Sequence, residues 1–405
     1  MSASEEEGSV VHVAIGQFGG PTTVINASLL GALETLDRSG APVRGIVGGT
    51  HGLIEGRTME LTGRASSLQW LARTPGAALR SGRRADVSDD DVQQAVRSLH
   101  TLGVDALLVI GGNGTMALGH RLATAARAVH VDLSVIGIPK TVDNDVVGVD
   151  HTPGYPSAAS FVFMALRDLR LDLQAMIGFE QVRVVEVMGR GTGWLAAVAT
   201  SLDEEGAGRS GVGGVPPVLT LLPEQPVHWH HLLDAIKAGV QERGQVLMVV
   251  AEGVKGPDGE LQAQMRTGAQ SAQTMLGGIG QAVAQWVRAH TGYSVRADSL
   301  GLLPRCLAVS ATTLDRREAR RLGREAARAV LRGQSDWMVG VAPRTSASMA
   351  VYEPVWITVP LAQVAGRERP VPTVDSEPDF SFGTWIRPLL DRSALMPHPR
   401  LDMGL

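Results

Sequence analysis

Two carboxylates, an amine and a hydroxyl fall within seven residues of this chain, Pro139 to Asp145, which read PKTVDND. Proline fixes the exit from the apolar run before it, and Lys140 offers a point charge for phosphate oxygens. If the segment is extended, Asp143 and Asp145 point to the same side. One carboxylate can then take the proton of an attacking hydroxyl while the other holds magnesium or a substrate hydroxyl. Phosphoryl transfer asks mainly for positioning and charge neutralisation, which this set can supply. The same spacing also serves a polar turn that caps a helix, and the segment taken alone leaves both readings open.

Two glycine-rich segments bring a second kind of chemistry. GQFGGPTTVIN (residues 16–26) and IGGNGTMALGHRL (residues 110–122) each stand where an apolar run gives way to a helical pattern. Successive backbone N–H groups at a helix start can cradle a phosphate. Thr115 can cap the second helix, and Asn113 is within reach of a metal-bound water or a phosphate oxygen. Neither segment carries GxxxxGK[ST] or GxGxxG, so two common nucleotide motifs are absent from them and a dinucleotide-dependent dehydrogenase is disfavoured.

These segments need elements to aim them. Short apolar runs alternate with helical stretches from Val10 to about Gly253. VVHVAIG, DALLVIGG, LSVIGIPK, VRVVEVMG and QVLMVVAEG read as strands, and residues 26–36 and 92–103 as helices. Continuous apolar strands between helices require a parallel sheet covered on both faces. The expected class is α/β, doubly wound. The strands end in GQFGGPTT, GGNGT, PKTVDND, MGRGTG and AEG. In open parallel sheets ligands bind outside the carboxyl ends of the strands, so these clusters are expected to converge on one cleft. A single cluster is explained as well by an ordinary strand-to-helix turn; five in register are not.

Composition bounds the rest. At 405 residues the chain is too long for one small core. Its 44% hydrophobic and 19% charged residues are those of a folded globular protein. A formal charge of −4 gives no reason to expect nucleic acid or an anionic membrane as partner. The single cysteine, Cys306, cannot form an internal disulfide, which fits a reducing compartment. The opening MSASEEEGSV is acidic where a signal peptide is basic and then apolar, and residues 1–9 read as a disordered tail. No membrane span is expected, and the expected location is cytoplasmic. RSGVGGVPP (residues 209–217) reads as a surface loop, and residues 319–333 as a basic amphipathic helix with a solvated arginine face. The HWHH run at residues 228–231 reads as a helix start or loop rather than a metal site.

GGPTTVINASL, GGNGT, PKTVDND followed by DHTPGY, VEVMGRGTGWLA and AEG occur in this order, and together they resemble the phosphofructokinase family over nearly the whole chain. LGLLPRC and VPLAQVAGRERPVP resemble the branch that contains pyrophosphate-dependent members. The resemblance implies two doubly wound parallel-sheet domains with the active site between them. Residues 10–150 plus about 306–345 would form a phosphoryl-donor domain. Residues 151–305 plus about 346–405 would form a sugar-phosphate domain. It implies Asp143 as the general base for the C1 hydroxyl of fructose 6-phosphate, with Lys140 and Thr141 at the transfer site. Asp145 and Asn113 would serve Mg2+. Gly16, Gly20, Arg83, Gly112, Asn113, Gly114 and Thr115 would hold the donor. Met188, Gly189, Arg190, Glu252, Arg296 and Arg305 would hold the sugar phosphate with Thr141, Asp143 and Asp145. A homodimer or homotetramer is also implied.

The donor, ATP or pyrophosphate, is contested by two residues. Pyrophosphate enzymes of the family typically carry Asp at the position of Gly114, which obstructs a nucleotide's α-phosphate; the Gly here favours ATP. Lys140 is the residue typical of pyrophosphate enzymes. Gln181 and Leu302 replace an arginine and a histidine that many members carry near the 6-phosphate, which opens the acceptor to other sugar phosphates such as sedoheptulose 7-phosphate. Asn113, where the family's usual residue is acidic, also raises a non-catalytic binding homologue. Asp143, Asp145, Arg190 and Glu252 standing together argue against it.

Overall fold

The computed structural model describes residues 10–82, 84, 86–202, 215–256, 278–344, 352–373, 376–377 and 379–391. The expected N-terminal tail, Arg83 and most of the 209–217 loop lie outside these.

Eleven strands among the described residues form two sheets. The larger contains β1 (Val13–Gln17), β2 (Val43–Ile46), β3 (Thr58–Glu60), β4 (Ala106–Gly111), β5 (Ser134–Pro139), β10 (Trp337–Val341) and β11 (Trp356–Pro360) in the order β11-β10-β5-β4-β1-β2-β3. Its centre is parallel, and both edges are closed by antiparallel strands, β3 on β2 and β11 on β10. The smaller sheet, β7 (Val218–Leu221), β8 (Val246–Ala251), β6 (Val182–Val187) and β9 (Val295–Ser299), is parallel throughout. Every residue of β4, β6 and β8 is buried, as strands covered by helices on both faces must be. The chain is therefore α/β with two parallel-centred sheets, as expected. The strands that periodicity did not reveal are the short or polar-alternating ones at or near the edges, such as β3, β7 and β9, where one side is wet and the apolar signal is diluted.

The C-terminal third divides differently from the expected boundary at residue 346. Strand β11 pairs with β10 in the larger sheet, whereas Trp385, Ile386 and Leu389 pack into the core of the smaller one. A hairpin edge strand stays with the partner that satisfies its backbone hydrogen bonds.

The basic helix, Thr313–Leu331, lies against the helix Ile25–Ser39. Their backbones touch: a Cβ on Gly31 would stand 1.9 Å from the Arg320 carbonyl oxygen, and one on Gly323 2.0 Å from that of Ser28. Only glycine permits that approach. The arginine face is less solvated than expected. Arg320 and Arg324 donate to Glu34 across the crossing. Burial opposes the charge of Glu34, but the arginine hydrogen bonds outweigh it and hold its pKa down at about 2.

A buried charged network joins the two halves where the chain passes between sheets. His151 Nδ1 lies 2.9 Å from Asp150 Oδ2, and its Nε2 2.8 Å from Glu318 Oε2. Arg344 pairs with Asp150 at 3.1 Å, and Trp385 Nε1 donates to the same carboxylate. Burial alone would lower the His151 pKa; hydrogen bonds to the two carboxylates overcome it and raise it to about 9. Charges this deep persist only when paired and hydrogen-bonded.

Candidate active site

One cleft of about 1250 Å³ runs along the carboxyl ends of strands from both sheets. Gly19 and Gly20 enter it after β1, Gly112 to Thr115 after β4, and Lys140 to Asp143 and Asp145 after β5. From the smaller sheet come Met188 and Arg190 after β6, Glu252 after β8, and Ser299 and Arg305 from β9 and the segment behind it. The strand-end clusters thus converge, as parallel topology requires.

The PKTVDND segment bends rather than extending. Asn144 takes a left-handed φ of 52°, a conformation that Asn tolerates better than most residues. Its buried Oδ1 accepts the Thr152 N–H at 3.0 Å, which holds the bend. Asp143 and Asp145 both face the cleft through this bend. Asp143 is fixed on two sides: its N–H donates to Thr141 Oγ1 at 3.1 Å, and Thr192 Oγ1 donates to its carbonyl at 3.0 Å. Lys140 is buried, with Nζ 2.6 Å from the Gly20 carbonyl, so the amine is held on the first glycine loop.

Asp145 is a strongly perturbed carboxyl of the cleft. Burial first, and then the neighbouring Asp143 carboxylate, raise its pKa from 3.8 to about 7, with Lys140 pulling the other way. Its Oδ1 is buried with no hydrogen-bond partner among the described residues, and the same holds for Asn113 Oδ1. Two orphaned hard oxygens beside the glycine-rich loops fit a magnesium ion, which takes few protein ligands and completes its shell with water and substrate oxygens. Among the described residues no three His, Cys, Asp or Glu side chains converge at metal-holding spacing, so a cage made wholly of protein is not what is offered. The amide of Asn113 donates to the Arg367 carbonyl at 2.5 Å, which fixes the orientation of Oδ1.

Thr115 does not cap its helix. Gly112 is the N-cap of Asn113–Ala128, and Thr115, one turn inside, is held over Gly111. Three other expected residues stand outside the lining. Gly16 lies within β1 beneath the Phe18 ring, Gly189 shapes the bend behind Met188 with a φ of 146°, and Arg296 points away, 3.9 Å from Glu180. Arg190 pairs with Glu252 at 3.5 Å, and burial raises the pKa of Glu252 while Arg190 opposes the rise. Arg305 reaches across the cleft, so that a Cβ on Gly20 would stand 2.7 Å from its Nη1. Residues not singled out from the sequence also line it, among them Arg84, Arg121, Glu186, Asp298 and Glu368. Glu368 lies in the VPLAQVAGRERPVP stretch, whose resemblance was noted without a role; no spacing signal marks it.

A family model described as Phosphofructokinase matches residues 12–330, and the chain belongs to the phosphofructokinase family. Among curated relatives, a sulfofructose kinase of Alkalicoccus urumqiensis is 35% identical over 384 residues, covering 94% of this chain and 96% of the relative. A pyrophosphate--fructose 6-phosphate 1-phosphotransferase of Rhodospirillum rubrum is 32% identical over 402 residues, with 94% of each chain covered. An ATP-dependent 6-phosphofructokinase of Corynebacterium efficiens is 31% identical, covering 82% of this chain and 90% of the relative. A solved pyrophosphate-dependent phosphofructokinase of Nitrosospira multiformis superposes with a TM-score of 0.78 at 24% identity, covering 98% of this chain and 95% of that one, a likeness of fold. The protein is a phosphofructokinase-type phosphotransferase.

Proposed function

We propose that the enzyme moves the γ-phosphoryl group of ATP to the C1 hydroxyl of fructose 6-phosphate, with Asp143 as general base. The observation that carries this reading is the continuity of one cleft, in which Asp143 lies between the glycine loops of the larger sheet and Arg190, Glu252 and Arg305 of the smaller. The hydroxyl oxygen attacks phosphorus, its proton passes to the Asp143 carboxylate, and the bond to the leaving ADP oxygen breaks. Thr141 and Thr192 hold the backbone of Asp143 so that its carboxylate meets that proton. Asn113 and Asp145 would hold magnesium, which would neutralise charge on the donor phosphates. Lys140 and the N–H groups at the start of the Asn113–Ala128 helix cradle the phosphate oxygens.

Two features support ATP over pyrophosphate. A Cβ on Gly114 would meet nothing within 4 Å, so packing does not demand glycine there, and its absence of side chain leaves the path to an α-phosphate open. The cleft also continues past the glycine loops along Val87, Ala117 and Leu118, beside Arg84 and Arg121, a mixed apolar and cationic extension that suits a nucleotide and exceeds what pyrophosphate needs.

A second reading concerns the acceptor. Arg190 pairs with Glu252, Glu186 and Asp298 also line the cleft, Arg305 reaches to the Gly20 loop, and Arg296 stays outside the lining. That balance suits a singly charged sulfonate better than a doubly charged phosphate, and the relative from Alkalicoccus urumqiensis is named for sulfofructose. Sedoheptulose 7-phosphate is a further candidate. Initial rates for ATP and pyrophosphate, each against fructose 6-phosphate, sulfofructose and sedoheptulose 7-phosphate at fixed magnesium, test all of these. Turnover with pyrophosphate alone would overturn the donor assignment. Exposed Leu302, Leu303 and Val309 at 57, 49 and 86% support a homodimer or homotetramer, which sedimentation equilibrium tests.

A further inference from the structure

The strap of residues 366–371 crosses the mouth of the cleft and is tied to both of its sides by backbone groups. The Arg367 carbonyl accepts from Asn113 Nδ2 at 2.5 Å, and the Arg369 N–H donates to the Asp145 carbonyl at 2.8 Å. The Arg369 carbonyl accepts from Trp194 Nε1 at 2.9 Å, and the Val371 N–H donates to Glu224 Oε1 at 2.9 Å. Between the first two of these ties stands Glu368, whose side chain lines the cleft. Its carboxylate lies flat against Gly191, in the loop that carries Arg190: a Cβ on Gly191 would stand 2.4 Å from Glu368 Oε2. The backbone of Gly191 needs no left-handed φ, so what glycine provides at 191 is the space the carboxylate occupies.

A carboxylate standing in a cleft built for anionic substrates repels phosphate and can only accept hydrogen bonds. The partner that suits it is a hydroxyl, and the side it faces, next to the Arg190 loop, is the acceptor side. We infer that Glu368 is a specificity-determining residue that accepts a hydrogen bond from a ring hydroxyl of the acceptor sugar, with Gly191 conserving the room its carboxylate needs. The inference rests on the acceptor being a ketose, as proposed above, but not on which anionic group it carries.

The test is calorimetric binding of fructose 6-phosphate and of sulfofructose, without donor, to the wild type and to Glu368→Ala, Glu368→Gln and Gly191→Ala. Loss of one hydrogen bond to a charged group weakens the Kd for the bound sugar about tenfold. Gly191→Ala, which displaces a flexible carboxylate rather than backbone, weakens it in the same direction and adds nothing in the Glu368→Ala background. Melting temperatures within the wild-type range keep the comparison one of binding. The Kd for ATP stays where it was. An unchanged sugar Kd, a change confined to ATP, full additivity of the two substitutions, or a wild type that binds neither sugar each overturns the inference. A wild type that binds sugar without turning it over defeats the kinase reading instead, and the Kd comparison still decides the role of Glu368.

Discussion

Replacing Asp145 by Asn separates what the cleft costs the fold from what it does for the reaction. In the folded protein the carboxyl titrates at about 7, against 3.8 when solvated. Between these values the folded state holds a proton that the unfolded state has lost, so wild-type stability falls as pH rises through that window. The penalty is about 2 kcal/mol at pH 5 and about 4 kcal/mol at pH 8. Asn at this position carries no charge and escapes it. Spread over 405 residues at about 2.1 cal/mol/K each, 4 kcal/mol corresponds to about 5 °C in Tm. Scanning calorimetry in chelator, from pH 5 to 8, should find the variant more stable by a margin that widens by about 3 °C across that range. Magnesium binding should weaken in the wild type below pH 7, where a proton competes for the same oxygen, and be weak and flat with pH in the variant. A Tm margin that does not change with pH, or one that shrinks as pH rises, refutes the assignment of the buried charge to Asp145.

Other outcomes follow from the same geometry. Asp143→Asn should keep the fold and sugar binding while kcat drops on the order of a hundredfold or more; near-normal turnover removes Asp143 as base. Gly114→Asp, where the new side chain enters open space, should leave Tm unchanged and lower kcat/KM with ATP about a hundredfold through repulsion at the nucleotide phosphates. Equal losses with pyrophosphate would show that the position does not discriminate donors. Gly31→Ala drives a methyl group into the Arg320 carbonyl and should destabilise the protein by about 3 kcal/mol in denaturant melts, with little change in KM for either substrate.

Much of this molecule was legible in its sequence because parallel strands buried on both faces leave continuous apolar runs, and each run here ends at a ligand-facing loop. That relation made PKTVDND, GGNGT and MGRGTG readable as one cleft, and Lys140, Asp143, Asp145, Arg190 and Glu252 all line that cleft in the structure. Edge strands and boundaries were less legible. Strand β11 belongs to the larger sheet because β10, the described element just before it, completes its hydrogen bonds, and the residues of β11 alone do not encode which sheet it joins. The bend at Asn144 depends on a hydrogen bond from Thr152, eight residues on. Whether a cationic side chain faces inward was also undecided by type: Arg305 crosses to the Gly20 loop, while Arg296 turns to Glu180. Residue types and their order thus determined the class of chemistry, because phosphoryl transfer needs particular charges at particular strand ends. Only the tertiary structure decided that Asp145 is buried beside a second carboxylate, and that Glu368, 223 positions later in the chain than Asp145, shares its cleft. Burial and charge proximity are properties of chain segments brought together by folding, and neither is carried by any one segment alone.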